Sequence, residues 1–349
     1  MVSEGVTVIE DEGLLAGFTA WLRERDPEGT PEVVGHERPS VGFSSETILI
    51  DVRRGGADDR LVLKLPPAGA GIFPTYDFAL QARVQEEAVA AGIPAPAPVQ
   101  VEDDTRWLGA PFLVMPAIAG HIVEEMPIRD RWLTKEDPAL STAVHERYID
   151  TIAAIHRLDW RAVHLDDVVP VRDNAAELEH WRGYLDWYAD GTVLVPALVE
   201  ALEWCAANQP DAEPEPSLLW GDVRLGNVIF DEERAPVAVL DWEMATIGAP
   251  EHDLAWMLTL EATQAELFQR TVPGFFDHDA AVSCYEARAG RAVRDLAWYE
   301  ILAMVRSTAI MTRVAHLRDL AGEPELFPIA DNPILGLLAR RIAEAEGTS

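Results

Sequence analysis

The sequence predicts an α+β fold in which a smaller, β-rich lobe precedes a larger, mainly helical lobe. Short β-branched runs separated by turn residues dominate the chain as far as residue 116, and amphipathic helical patterns dominate it after that point. The 349 residues are enough for two lobes that each bury a core. We therefore expect an N-terminal lobe over residues 1–116 and a C-terminal lobe over residues 117–349.

The N-terminal lobe opens with a predicted helix over residues 10–25, whose apolar side chains share one face. Three strand patterns follow, and GGADD supplies a hairpin turn between the last two: PEVVGHE, SSETILIDVRR and RLVLKLPP. A second helix is predicted over residues 76–92, where Gly92 and Pro94 stop it. The segments APAPVQVEDD and LGAPFLVMPAI complete a five-stranded antiparallel sheet with one intervening helix.

The C-terminal lobe is predicted to be helical on both sides of a short β-rich motif. The helical patterns are STAVHERYIDTIAAIHRL, ELEHWRGYLDWYADG, PALVEALEWCAANQ and, near the end, RDLAWYEILAMVRSTAIMTRVAHL. The motif between them, LLWGDVRLGNVIF, interrupts apolar residues with Asp222, Arg224 and Asn227. Polar groups buried without partners cost roughly 1–3 kcal/mol each, so these three side chains need a role.

Charge and composition exclude several kinds of partner. The net charge of −32 repels phosphate backbones and acidic lipid head groups, so we expect neither nucleic acid nor a membrane as a partner. The sequence contains no apolar run of membrane-spanning length and no secretory signal pattern. Cys205 and Cys284 match no metal-binding spacing and are interpreted as reduced thiols, which predicts a cytoplasmic protein. The oligomeric state is left open.

Lysine is rare in this chain, which makes the position of one lysine informative. Only Lys64 and Lys135 are present, and Lys64 lies inside LVLKLPP with apolar residues on both sides. A lysine in such a strand either binds a specific anion or lies on a sheet edge, where it discourages aggregation.

The side chains of Asp222 and Asn227 in the motif are predicted to lie close to that of Asp241, which follows in the next hairpin. Asp222 and Asn227 are five residues apart, and VIF with PVAVLDWE is expected to form a hairpin around DEERAP that returns Asp241 beside Asn227. An amide carbonyl and a carboxylate that converge in this way suit Mg²⁺, which prefers oxygen ligands. The alternative is that all three are simply turn-forming residues.

The spacing of these residues resembles the catalytic loop of kinases. Together with VAVLDWEMATIGAPEHDLAWM, it is similar to the aminoglycoside phosphotransferase and choline kinase-like family of small-molecule kinases. The similarity is greatest to an actinobacterial branch, which also resembles the kinase domain of certain acyl-CoA dehydrogenase fusions. The resemblance implies a bilobal protein-kinase-like fold, ATP and Mg²⁺ as cofactors, and a small-molecule hydroxyl as the phosphate acceptor.

The resemblance also implies roles for individual residues. Asp222 corresponds to the catalytic base, Asn227 and Asp241 to the Mg²⁺ ligands, and Arg224 to the cation that faces the transferred phosphate. Glu243 is placed beside the metal or the acceptor hydroxyl.

The nucleotide-binding residues follow from the same resemblance. Lys64 corresponds to the lysine that binds the α- and β-phosphates of ATP. Gly42, Ser44 and Ser45 are expected in the phosphate-covering loop, and Met115 to Ala117 in the hinge whose backbone binds adenine. The residue that pairs with Lys64 is left open, because Gln81 stands at the aligned position, where the family usually has glutamate, and Glu86 and Glu87 follow one or two turns later.

Three residues near the motif are expected to support it. Trp220 stands where the family commonly has histidine, and we expect it to pack behind the loop. Asp253 is interpreted as a helix-capping or loop-bracing carboxylate, and His156 as a core histidine with its hydrogen bonds satisfied.

The acceptor is not predicted by the sequence. A polyamine sugar would suit a site lined by acidic residues, whereas a hydroxyacyl thioester or another metabolic alcohol would suit arginines that hold an anionic group. The candidate residues for binding a polyamine sugar are Glu177, Glu179 and Asp186. The candidates for binding an anionic acceptor are Arg306 and Arg313. A non-catalytic nucleotide-binding pseudokinase and a metal-dependent hydrolase are further alternatives.

Overall fold

The computed structural model describes residues 11–39, 44–135, 137–188, 195–322 and 332–347. The chain divides into two compact units. One unit comprises the chain up to Glu86 together with Pro96–Ile118, and the other comprises Glu87–Ala95 together with the chain from Ala119 onward. Of the first 116 residues, the segment from Glu87 to Ala95 is therefore the part that groups with the second unit.

The first unit holds two helices and a five-stranded antiparallel sheet. Its elements are α1 (Asp11–Arg25), β1 (Glu32–Glu37), β2 (Glu46–Arg54), β3 (Ala57–Leu65), α2 (Phe78–Ala90), β4 (Gln100–Glu102) and β5 (Phe112–Pro116), except that the last residues of α2, from Glu87, group with the second unit. The strand order is β1-β2-β3-β5-β4. This confirms the predicted α+β fold and its sheet. Strand β4 is shorter than the predicted strand, because the alternating prolines before it cannot donate to a ladder.

The hairpin of β2 and β3 places Lys64 in the middle of the sheet. Gly55 and Gly56 have φ angles of 55° and 88°, and two consecutive positive φ values match the right-handed twist of paired strands. Lys64 pairs in register with Thr47 on β2 and with Leu113 on β5. Since β3 has a neighbour on each side, the edge-strand interpretation of Lys64 is wrong.

Helix α1 covers one face of the sheet with its aromatic side. Phe18 and Trp21 are fully buried, and the Trp21 ring lies 5.2 Å from the Phe112 ring on β5. Burial of each such ring stabilises the fold by about 2–3 kcal/mol. The indole N–H of Trp21 donates to Glu102 at 2.9 Å, which leaves no polar atom of this contact without a partner.

The second unit is mainly helical, as predicted. Its helices are α3 (Arg131–Thr134), α4 (Pro138–His156), α5 (Asn174–Tyr188), α6 (Pro196–Ala207), α7 (Glu251–Phe268), α8 (His278–Ala289), α9 (Leu296–Leu320) and α10 (Pro333–Ala345). Among the described residues, none of the helices combines the length and the hydropathy that crossing a bilayer requires.

Two small sheets in the second unit carry the polar motif. Their strands are β6 (His121–Ile122), β7 (Ser217–Leu219), β8 (Val228–Phe230), β9 (Pro236–Val239) and β10 (Thr246–Gly248). The order is β6-β8-β9 in one sheet and β7-β10 in the other. The hairpin of β8 and β9 matches the sequence prediction, whereas β6 and β10 were not predicted, since each has only two or three residues.

Candidate active site

The loop after β7 is shaped by a glycine that directly precedes Asp222. Gly221 has a φ of 91°, which favours glycine over other residues. A Cβ atom at this position would lie 2.3 Å from the Met244 carbonyl oxygen. The loop therefore packs directly on the backbone that follows Asp241, and Gly221 is a site residue that sequence analysis missed. The glycine beside Asp222 in the motif was the available signal.

A buried carboxylate holds the same loop from behind. Asp253 is 1% exposed and accepts hydrogen bonds from the backbone N–H groups of Trp220 at 2.7 Å and Gly221 at 3.0 Å. His156 Nε2 lies 3.1 Å from the same carboxylate, and its Nδ1 lies 2.6 Å from the Tyr285 hydroxyl. Asp253 therefore braces the loop, as one interpretation of the sequence predicted, and His156 is the predicted core histidine with both nitrogens paired.

Trp220 links the loop to the strand that precedes Asp241. Its ring is fully buried and lies 6.1 Å from the ring of Trp242. Its indole N–H donates to the Leu240 carbonyl at 2.8 Å. The predicted packing role is confirmed, and the hydrogen bond to Leu240 adds a polar contact that the sequence did not reveal.

The three polar residues of the motif contact one another. Asp222 Oδ2 accepts hydrogen bonds from Arg224 Nε and from Asn227 Nδ2, both at 2.8 Å. Asn227 Nδ2 also lies 3.1 Å from the Asp222 carbonyl oxygen. These bonds involve neither Oδ1 of Asp222 nor the amide oxygen of Asn227.

The hairpin brings Asp241 next to this group. Val228 pairs with Val239, and the Leu240 N–H donates to the Asn227 carbonyl at 2.8 Å. Asp241 has a φ of 55°, a left-handed conformation that Asp and Asn tolerate better than most residues. The predicted return of the chain beside Asn227 is therefore present, and Glu243 follows in the next turn, Trp242–Met244.

Arg224 is held between two carboxylates. Besides Asp222, its guanidinium pairs with Glu125, which lies in the segment after β6. Burial lowers the pKa of Arg224, but the negative charges of Asp222, Glu125 and Asp241 outweigh burial and raise the pKa above its usual value. Glu125 was missed by sequence analysis, because nothing in the pattern HIVEEM indicates a contact 99 residues away.

A buried tyrosine hydroxyl belongs to the surroundings of Asp222. Tyr148 on α4 is 1% exposed. Burial raises its pKa, and the negative charges of Glu261, Asp222 and Asp253 raise it further. The hydroxyl therefore stays protonated at neutral pH.

The predicted nucleotide-binding residues lie on the first unit. Lys64 is buried on β3, and Ser44 and Ser45 immediately precede β2. Met115 is buried at the end of β5, and the Ala117 N–H donates to the Arg60 carbonyl at 2.9 Å. Gly42 lies outside the described residues. Of the candidate partners for Lys64, Gln81 is buried, Glu86 is exposed and Glu87 is half-buried.

The acidic residues proposed for a cationic acceptor do not form one site. Glu177 is buried, whereas Glu179 and Asp186 are exposed on α5. Glu179 pairs with Arg182, one turn along the same helix. The arginines proposed for an anionic acceptor both lie on α9, over tryptophan rings: Arg306 over Trp181 and Trp256, and Arg313 over Trp187.

No group of three or more His, Cys, Asp or Glu side chains within the described part of the chain is arranged to hold a metal ion. The predicted Mg²⁺ ligands, Asn227 and Asp241, are only two residues, and one of them is an amide, so they would not form such a group. Asn227 and Asp241 therefore remain the candidate metal ligands.

The chain is similar in sequence to known proteins. A sequence profile described as the phosphotransferase enzyme family matches residues 35–302. Human acyl-CoA dehydrogenase family member 11 is 30% identical over 196 residues, which are 56% of this chain and 24% of that protein. The chain thus spans about a quarter of the length of that relative.

Two solved structures share the fold. A Ralstonia eutropha protein described as a candidate aminoglycoside phosphotransferase aligns with a TM-score of 0.71 and 21% identity, covering 94% of this chain and 98% of that one. Macrolide 2′-phosphotransferase MphH of Brachybacterium faecium aligns with a TM-score of 0.54 and 18% identity, covering 92% and 97%. The predicted kinase-like fold is confirmed. Since the family profile covers most of the chain, the protein belongs to the phosphotransferase enzyme family.

Proposed function

We propose that the protein transfers the γ-phosphate of ATP to a hydroxyl group of a small molecule. The observation that carries this proposal is the hydrogen-bonded group of Asp222, Arg224 and Asn227, with Asp241 returned beside it by the β8–β9 hairpin. Phosphoryl transfer requires mainly positioning and charge neutralisation, and this group offers both.

Asp222 is the proposed catalytic base. Arg224 and Asn227 both bind Oδ2, which fixes the carboxylate and leaves Oδ1 for the acceptor hydroxyl. The side chain is 16% exposed, so a small molecule can reach it. A base that is held in one orientation aligns the attacking oxygen and accepts its proton as the new O–P bond forms.

Asn227 and Asp241 are the proposed Mg²⁺ ligands. Because Asn227 Nδ2 is engaged by Asp222, its amide oxygen is the atom left to bind a cation. An amide oxygen and a carboxylate form a hard oxygen donor set that fits Mg²⁺, and the residual positions suit phosphate oxygens and water. The ion would neutralise the charge on the phosphates.

The remaining roles concern the nucleotide. We assign Lys64 to the α- and β-phosphates, Ser44 and Ser45 to the covering loop, and Met115 to Ala117 to adenine. Arg224 faces the transferred phosphate only when Glu125 releases it, since the guanidinium pairs with that carboxylate. In its paired state, Arg224 orients Asp222.

Substitution of Asp222 tests the proposal. We expect Asp222→Ala to lower ATP-dependent phosphorylation by about 100- to 10,000-fold, because the base is lost, with nearly unchanged nucleotide binding. The measurement is release of ADP from ATP, or of GDP from GTP as a second donor, in a screen of alcohols, aminoglycosides, sugars and hydroxyacyl thioesters. Asp186→Asn, at an exposed carboxylate on α5, is the matched control.

The outcomes separate the alternatives. If Asp222→Ala retained most of the turnover, Asp222 would not be the catalytic base. Thermal stabilisation by ATP without turnover of any acceptor would favour a pseudokinase. Release of inorganic phosphate without a phosphorylated product would favour a hydrolase.

A further inference from the structure

A carboxylate to which the proposed chemistry gives no role lies against the polar motif. Glu125 pairs with the Arg224 guanidinium at Nη1, while Nε of the same guanidinium donates to Asp222 Oδ2 at 2.8 Å. A Cβ atom on Gly226 would lie 3.6 Å from Glu125 Oε2 and 3.5 Å from Arg224 Nη1. The ion pair therefore lies close over the backbone of the motif.

The backbone that carries Glu125 is held on both sides. Before it, β6 pairs with β8, which places His121 opposite Phe230. After it, the buried Asp130 accepts the Glu124 N–H at 2.9 Å and lies 2.9 Å from His121 Nε2. Its other carboxylate oxygen accepts two backbone N–H groups at the start of α3. These bonds fix the segment that presents Glu125 to the motif.

The side chain of Glu125 is free to move even though its backbone is held. It is 49% exposed, and the side chain of Arg224 is 27% exposed. Ion pairs that water reaches contribute little to stability, because each charge is well solvated when the pair separates. A stronger ligand for Arg224 can therefore displace the Glu125 carboxylate into solvent.

A phosphate would need the part of the guanidinium that Glu125 contacts. Since Nε is engaged by Asp222, the edge left for two parallel hydrogen bonds is the one formed by Nη1 and Nη2. Both carboxylate oxygens of Glu125 accept from Nη1, which places a negative charge on that edge. A phosphate group and the Glu125 carboxylate would thus compete for the same donors.

The charges around Arg224 indicate which carboxylate would yield. Burial lowers the pKa of Arg224, but the negative charges of Asp222, Glu125 and Asp241 outweigh burial and raise it. In the proposed chemistry Asp222 accepts a proton and Asp241 binds Mg²⁺, so both must stay in place. Glu125 is the member of this set that can leave.

We propose that Glu125 is a positioning residue that competes with the γ-phosphate of ATP for Arg224. This inference rests on the proposed function and adds a residue to the same site. While Nε stays on Asp222, Nη1 passes from Glu125 to a phosphate oxygen, so that one guanidinium joins the base to the transferred group. A diphosphate lacks the group that makes this exchange. Glu125 therefore weakens the binding of a nucleoside triphosphate more than that of a diphosphate.

Nucleotide binding tests the inference. The affinities of ADP and of the β,γ-imido analogue of ATP, both with Mg²⁺, are measured calorimetrically in the parent protein and in Glu125→Gln. Glutamine keeps the length of the side chain but loses its charge. We expect the ratio of triphosphate to diphosphate affinity to rise roughly fivefold, the upper range for one exposed ion pair. An unchanged or lower ratio in Glu125→Gln overturns the inference.

Two further variants distinguish this competition from a general effect of charge. Glu124→Gln removes the same charge at the neighbouring exposed residue and is expected to leave the affinity ratio close to that of the parent protein. In an Arg224→Gln background, Glu125→Gln should no longer raise the ratio, because the contested group is gone. An equal rise in Glu124→Gln, or a rise that persists without Arg224, overturns the inference.

The same titrations separate this inference from the proposed function. A ratio that depends on Glu125 and Arg224, without phosphorylation of any acceptor, supports the competition and contradicts the proposed function. Phosphorylation that requires Asp222, with the same ratio in the parent protein and in Glu125→Gln, supports the proposed function and overturns the competition. If neither nucleotide bound to the parent protein, both would be wrong.

Discussion

The polar residues in LLWGDVRLGNVIF are explained by their partners. Asp222, Arg224 and Asn227 bind one another, and Asp253 and Glu125 bind the loop from outside it. The grouping of the three residues was predictable, because they lie within six residues of sequence. Glu125 and Gly221 were not predicted as site residues, because their roles depend on contacts with distant parts of the chain.

The residue that tests the metal site is Asp241. We expect Asp241→Asn to weaken Mg·ATP binding by about tenfold or more, because a carboxylate ligand loses its charge. Asparagine also tolerates the left-handed backbone at this position, where φ is 55°, so the loop is expected to stay intact. Calorimetric titrations with Mg·ATP and with ATP in chelator measure the effect.

The difference between those two titrations decides the result. The variant should lose Mg²⁺-dependent affinity while its affinity for metal-free ATP stays as in the parent protein. An identical Mg·ATP titration in both proteins would exclude the ligand role.

Among the elements, β7, β10 and the β8–β9 hairpin position the site together. Strands β7 and β10 pair through Leu219 and Thr246, which aligns the loop that carries Asp222 with the turn that follows Asp241. Apolar patterns predicted the longer helices and strands, since burial of a face leaves a period in the sequence. Strands β6 and β10 are too short to show a period, and their pairing depends on tertiary contacts.

Trp220 is the side chain that joins these elements. We expect Trp220→Phe to destabilise the protein by about 1–3 kcal/mol, because the partly buried Leu240 carbonyl loses its hydrogen bond. Since Leu240 precedes Asp241, Mg·ATP affinity should fall as well. Thermal unfolding and the Mg²⁺ dependence of ATP binding measure the two effects.

A second variant distinguishes the hydrogen bond from the ring. Trp220→His retains an N–H but leaves space beside Trp242, so it should lose stability yet keep more of the Mg²⁺-dependent affinity than the phenylalanine variant. If the Trp220→Phe variant retained full affinity for Mg·ATP, the indole N–H of Trp220 would have no role in positioning Asp241.

At the scale of the whole molecule, charge is distributed unevenly. The chain carries −32 overall, yet the buried Glu177 lies 3.3 Å from Arg172 and 3.7 Å from Arg306. Composition predicted the acidic surface, but it could not predict that His252 on α7 and Arg306 on α9 lie around Glu177 on α5. That arrangement depends on packing between helices that are far apart in the sequence.

His252 makes the stability of the whole protein depend on pH. Burial lowers the pKa of His252 from 6.5 to about 4. Below pH 6.5 the unfolded chain therefore binds a proton that the folded protein accepts only near pH 4, so the free energy of unfolding falls as the pH falls through that window. The contribution is on the order of 3 kcal/mol. We expect His252→Phe to remove this slope in denaturant unfolding measured from pH 7 to pH 4.

His278 provides a control of opposite sign. Burial lowers its pKa, but hydrogen bonds and negative charge from Glu300 and Asp279 outweigh burial and raise it above 6.5. Its contribution to stability is therefore full below pH 6.5 and is lost as the pH rises through the folded-state pKa. Because this histidine is half exposed, the effect of His278→Gln should be small. A slope between pH 7 and pH 4 that persists in His252→Phe would show that the acid sensitivity arises from groups other than His252.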